Sequence, residues 1–131
     1  QPETTASDSM LKPKLVALID ITAAEKLVAD IGIEAYQDIA EMFAQECRKG
    51  IETITTEYND LNFDDVAKVS HAILSGARSL GAEQLGQHLK SLELVSITAS
   101  TSEMNMLIAT LGSLTDESLT ALDDYANSLT T

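Results

Sequence analysis

From residue 22 onward, apolar positions recur at intervals of three and four, the pattern of helices that are wet on one face. Between about 34 and 60 the apolar stripe is Tyr36, Ile39, Ala40, Phe43, Cys47, Ile51, Ile54, Tyr58 and Leu61. At about 100° per residue, a helix over 63–80 turns Val66, Val69, Ser70, Ile73, Ala77 and Leu80 to one side. Lys68, His71, Ser75 and Arg78 fall on the opposite side. A helix over about 83–97 would bury Leu85, Leu89, Leu92 and Ser96. The last stripe, Met104, Leu107, Ile108, Leu111, Leu122, Tyr125, Ala126 and Leu129, keeps one period past Gly112 and predicts a helix continuous to about 129, with a break around Gly112–Thr115 as the alternative.

Local signals set the ends. Thr22 and Glu25 form a capping box for a short helix over about 22–31 that stops at Gly32. Asp60-Leu61-Asn62 reads as a turn, with Asn62 or Asp64 as the next cap, and Gly81 breaks the following helix. Residues 97–101 read as a loop, and Ser100 with Glu103 offers a second capping box. Four long amphipathic helices on short connections predict an all-α, antiparallel up-down four-helix bundle, with the short N-terminal helix over one end. Residues 1–18 are expected to be a flexible N-terminal segment and 19–131 the bundle, because QPETTASDSM is polar and aperiodic. A chain that opens on Gln1 also suggests processing or excision from a longer protein.

Composition narrows the partners. The 131 residues suffice for one domain and one core, 44% of them are apolar, and Trp is absent. With 21 acidic against 8 basic residues the net charge is −13, which disfavours nucleic acid and anionic membrane as partners. The longest apolar run, Leu15–Ile19, is far short of the roughly 18–20 residues of a membrane span. No secretory signal pattern is visible, and the single Cys47 excludes an internal disulfide, so a cytoplasmic location is expected. Cys47 lies within an apolar stripe and reads as a small core residue rather than a reactive thiol. Two histidines 17 apart have no metal-ligand spacing, and no glycine-rich phosphate loop or nucleotide fingerprint occurs. An autonomous kinase is therefore excluded.

The chemistry gathers at residues 69–93. A histidine turned to solvent has no packing role, which leaves its ring nitrogens available. His71, Ile73, Leu80, Gly81, Ala82, Leu85, Leu92 and Glu93 stand in the register of H-x-[LI]-K-G-x-x-x-x-[LF]-G-[AL], followed by a Leu-Glu pair about twenty residues beyond the histidine. This segment resembles the histidine-containing phosphotransfer (HPt) family, including its relatives in chemotaxis histidine kinases. Two positions depart from the pattern: Leu74 stands where the family has Lys, and Ser75 where it has Gly.

The resemblance implies a phosphotransfer intermediate of a two-component phosphorelay. His71 would accept a phosphoryl group from, and return it to, the aspartates of response-regulator receiver domains. A sensor or hybrid histidine kinase is expected upstream, the chain is expected to be a monomer, and no cofactor is expected on it. Mg2+ is expected on the receiver partner. Such transfer needs an exposed attacking nitrogen, an acceptor that fixes the tautomer, cations for the roughly −2 phosphoryl charge, and a low surface for docking.

Glu93 is the candidate orienter, since the matching Glu of the chemotaxis kinases contacts the phosphorylated histidine. Arg78 and Lys68 are candidate charge partners in place of the family lysine, and Ser75 a candidate hydrogen-bond donor. Leu74, Ser75, Arg78 and Ala67 are the candidate partner-binding residues, with Leu74 as an exposed apolar anchor. The docking surface is expected to extend to the short N-terminal helix and the outer side of the 34–60 helix. His88, on the flank of its stripe, reads as a half-buried structural histidine. Two other readings use the same fold: a non-catalytic module that docks or sequesters a regulator, and the phosphotransfer domain of a larger chemotaxis-type kinase.

Overall fold

The computed structural model describes residues 18–130, and within them the chain is helical without strands. Five helices follow one another: α1 (Ile21–Ile31), α2 (Ile33–Asn59), α3 (Phe63–Leu80), α4 (Glu83–Thr98) and α5 (Thr101–Ser128). Each of α2 to α5 packs on its chain neighbour, and α5 returns to α2, which closes an antiparallel four-helix bundle. α1 lies against α2 and α3 at one end. The expected flexible segment lies outside the described residues except for Leu18, which is buried in the core.

Most of the expected stripes face inward, as hydrophobic burial requires. Tyr36, Phe43, Cys47 and Ile54 of α2, Val66 and Ile73 of α3, Leu85, Leu89 and Leu92 of α4, and Met104, Leu111 and Leu122 of α5 form one continuous cluster. Two residues of the α2 stripe do not join it. Ile39 is 42% exposed and Leu61 72% exposed, because they lie at the margin and past the end of the arc that the neighbouring helices cover.

α2 and α3 interlock through two glycines. A Cβ on Gly50 would collide with the Ile73 side chain, and one on Gly76 would lie 2.8 Å from the Phe43 ring. Each helix thus supplies a notch for the other's side chain, and the two axes approach closely.

The ends differ in detail from the sequence reading. The N-cap of α1 is Asp20, whose Oδ1 accepts from the Ala23 amide at 3.1 Å; Thr22 sits inside the helix. Asp20 is the better cap because it precedes Ile21, the first apolar residue of the helix, and its carboxylate suits the positive helix end. Asn62 occupies the N-cap position of α3, but its side-chain amide donates to Glu57 instead. Ser100 precedes α5, and its hydroxyl meets Glu103 Oε1 at 3.2 Å rather than a backbone amide. α4 continues to Thr98, so the expected loop shrinks to two residues, and α5 runs unbroken through Gly112.

Three helices end in the same Schellman pattern, with paired backbone bonds around one left-handed residue. After α3 that residue is Gly81 (φ 93°), with Ala82 N–H on Ala77 O at 2.8 Å and Gly81 N–H on Arg78 O at 3.3 Å. After α2 it is Leu61 (φ 64°) and after α4 Ala99 (φ 56°), both of which carry a side chain in a region that favours glycine. Gly81 has a second constraint. Its carbonyl accepts from the Asp20 amide at 2.7 Å, and a Cβ there would meet Asp20 O at 2.8 Å. The turn after the histidine helix is thereby tied to the start of α1.

Candidate functional site

α3 presents His71 on its solvent face, with the imidazole side chain 66% exposed. Its helix is held by the α2 interlock, by the Gly81 turn and by Tyr36, whose hydroxyl donates to the Leu80 carbonyl at 3.1 Å. Burial, reinforced by nearby Tyr125, pushes the Tyr36 hydroxyl up to about 12, so it remains a neutral donor at any physiological pH.

The ring of His71 meets one carboxylate. Nδ1 lies 3.1 Å from Glu93 Oε2, across the α3–α4 interface. A carboxylate oxygen accepts, so in the neutral ring this contact places the hydrogen on Nδ1 and the lone pair on Nε2. Glu93 itself is only 15% exposed. Its other oxygen, Oε1, lies 3.6 Å from Lys90 Nζ, one turn earlier on α4. Three groups therefore stand in a row: imidazole, carboxylate, ammonium.

The remaining sequence candidates divide. Lys68, Ser75 and Arg78 share the exposed side of α3 with His71, but no hydrogen bond or ion pair joins any of them to the ring. Arg78 packs its stem beside Gly86 of α4, where a Cβ would lie 3.5 Å from its Cγ. Leu74 and Ala67 are not surface residues. Leu74 is 3% exposed and belongs to the core cluster, and Ala67, two turns earlier on α3, is also buried. For Leu74 the reason lies on α4: Gly86 has no side chain, so α4 closes over this flank of α3 and covers a wider arc than periodicity alone suggests. His71 escapes because it is rotated about 40° outward from Ala67.

Exposed apolar side chains near this face lie instead on α2. Ile39 is 42% and Met42 61% exposed. Gln37 and Tyr58 reach α5 through bonds to Ala126 and Asn105, whereas Gly50 and Phe43 face α3. Helical phase then places Ile39, Met42 and Glu46 on the flank of α2 that borders α3. Sequence reading missed this because Ile39 fits the inward stripe and Met42 is isolated. It also left Lys90 without a role, although its spacing of three from Glu93 was a usable signal.

Other reactive groups are occupied. His88 is half-buried, and its Nε2 lies 2.8 Å from the Leu107 carbonyl, which can only accept. Cys47 is enclosed in the core, and desolvation pushes its thiol up to about 11. Among the described residues no group of three or more His, Cys, Asp or Glu could hold a metal ion. A groove of about 700 Å³ between α2 and α5, lined by Gln37, Glu41, Arg48 and Asp123 among others, contains none of the residues around His71. No described helix is long and apolar enough to cross a membrane.

Comparison with protein families agrees with this architecture. A family model described as Hpt domain matches residues 38–129, which include all of α3 and α4 and most of α2. The chain belongs to the Hpt domain family. Hpt domains are helical bundles that carry phosphoryl groups on a histidine in phosphorelays and pass them to receiver domains. No curated protein and no solved structure matches this Hpt chain.

Proposed function

We propose that this Hpt domain accepts and donates phosphoryl groups through Nε2 of His71, exchanging them with receiver-domain aspartates. The observation that carries the reading is the His71–Glu93 contact on an exposed helix face: one ring nitrogen is fixed as a donor and the other is left as a nucleophile. In the forward step the Nε2 lone pair attacks the phosphorus of an aspartyl phosphate. The P–N bond forms, the P–O bond to the aspartate breaks, and the carboxylate leaves with its electron pair. Nδ1 keeps its hydrogen on Glu93, which offsets the positive charge that develops on the ring. Donation is the reverse.

Docking would use the low surface of α3 around Ala72, Ser75 and Ser79, all exposed and small. Ile39 and Met42 would replace Leu74 as the apolar contact, with Arg78 and Lys68 at the rim. Rim cations of this kind act mainly on encounter with an acidic, phosphorylated partner. Magnesium is expected on the receiver domain rather than on this chain, and a sensor or hybrid histidine kinase is the expected source of the phosphoryl group.

The test is incubation of the chain with a phosphorylated receiver domain. The expected product is acid-labile, base-stable phosphate on this chain, the stability of a phosphoramidate, and it should vanish in His71→Gln. Receiver binding without any such label would overturn transfer and favour the interaction-module reading.

A further inference from the structure

The two oxygens of Glu93 have unequal surroundings. Oε2 faces the His71 ring, whereas Oε1 is enclosed and receives no hydrogen bond. An enclosed carboxylate oxygen without a partner is unfavourable, and a carboxylate can relieve this by swinging toward solvent. The positive charge that faces Oε1 is the ammonium of Lys90 at 3.6 Å. We infer that Lys90 is a positioning residue of this site: it holds the Glu93 carboxylate in place and, through it, the tautomer of His71.

Geometry supports a role for Lys90 that an ordinary surface lysine would lack. Its side chain is 43% exposed, so the ammonium keeps part of its hydration while its charge reaches an oxygen that water does not. The spacing of three along α4 brings both side chains to the same flank, the one that closes on α3. The other charges around His71 are placed differently. Lys68 and Arg78 lie on α3 itself, and α2 presents Glu46 on its bordering side; none of these is ion-paired with Glu93. An unrestrained neutral imidazole favours its hydrogen on Nε2, which would block the attacking nitrogen. A fixed carboxylate at Nδ1 reverses that preference, so whatever holds the carboxylate also governs how much of the ring is ready to react.

This inference rests on the reading of His71 as the phosphoryl acceptor, but its test does not depend on labelling. Nitrogen-15 NMR of the His71 ring, at alkaline pH where the ring is neutral, reads the ratio of the two tautomers directly. In the wild-type chain the Nδ1–H form should dominate. Lys90→Met keeps the stem and removes the charge, and it should lower the ratio of Nδ1–H to Nε2–H by about threefold. Lys90→Arg should stay near the wild-type ratio. In a Glu93→Ala background, Lys90→Met should have no further effect.

A wild-type ratio in Lys90→Met overturns the proposal, as does an Lys90→Arg chain that behaves like Lys90→Met. An effect of equal size in the Glu93→Ala background overturns it too, since Lys90 would then act on the ring without Glu93. Failure of phosphoryl labelling with the tautomer ratios as expected would count against the function alone.

Discussion

His71 and His88 lie on adjacent helices, and the surroundings of each show what a fold can make of the same side chain. His71 spends Nδ1 on a carboxylate and turns Nε2 to solvent. His88 spends Nε2 on the Leu107 carbonyl and serves to join α4 to α5. Exposure alone does not explain the contrast. The nitrogen farther from the backbone is the one that a docked partner would meet under the proposed function, and only at His71 does it make no bond within the described residues. A histidine is made into a nucleophile by the partner given to its other nitrogen.

The comparison breaks most sharply by substitution at the two rings. His71→Gln should abolish phosphoryl acceptance with stability unchanged within about 0.5 kcal/mol, since the ring is on the surface. His88→Leu should keep acceptance and lose about 1 kcal/mol, the scale of one hydrogen bond, because the Leu107 carbonyl then keeps only its donor within α5. Labelling and denaturant midpoints measured on both variants would expose any reversal of these roles. Leu74→Asp tests the wall between the two regions. A buried, unpaired carboxylate there should cost about 3 kcal/mol or more, and an unchanged unfolding midpoint would place Leu74 on the surface.

Smaller effects sharpen the contrast. Glu93→Ala should slow transfer from a phosphorylated receiver about tenfold in stopped-time labelling, the scale of one charge-assisted bond on a half-open surface. The helices that carry the two histidines end in the same turn but with different residues at its left-handed position. Gly81→Ala should destabilise by about 1–2 kcal/mol, since it adds left-handed strain and crowds Asp20 O. Ala99→Gly, in the matching turn after α4, should stabilise by about 1 kcal/mol in thermal or denaturant unfolding.

Periodicity revealed the four long helices, the exposed face of His71 and the half-buried position of His88, because each of these depends on rotation about a single helix axis. What depends on two helices at once was hidden. Leu74 is covered because Gly86, twelve residues beyond it, admits α4 to close range. Ile39 is uncovered because α3 and α5 together leave that margin of α2 open. The Schellman turns at Leu61 and Ala99 were hidden for another reason: neither residue is the glycine by which such turns are recognised. The Glu93 contact was legible only through family resemblance, since position 93 taken alone is an unremarkable carboxylate at the edge of a stripe.

The reciprocal notches at Gly50 and Gly76 bear on the speed of the encounter. With Ile73 seated in one helix and Phe43 in the other, α3 can neither slide nor turn without lifting a side chain out of its slot. Under the proposed function, His71 would therefore have a fixed address before any partner arrives. Its placement is settled during folding, and the collision must select only the mutual orientation of two preformed bodies. If the proposed exchange takes place, a bundle of this kind would resemble a rigid electrode more than a closing hand: the surface would wait, and the moving part would be the phosphoryl group.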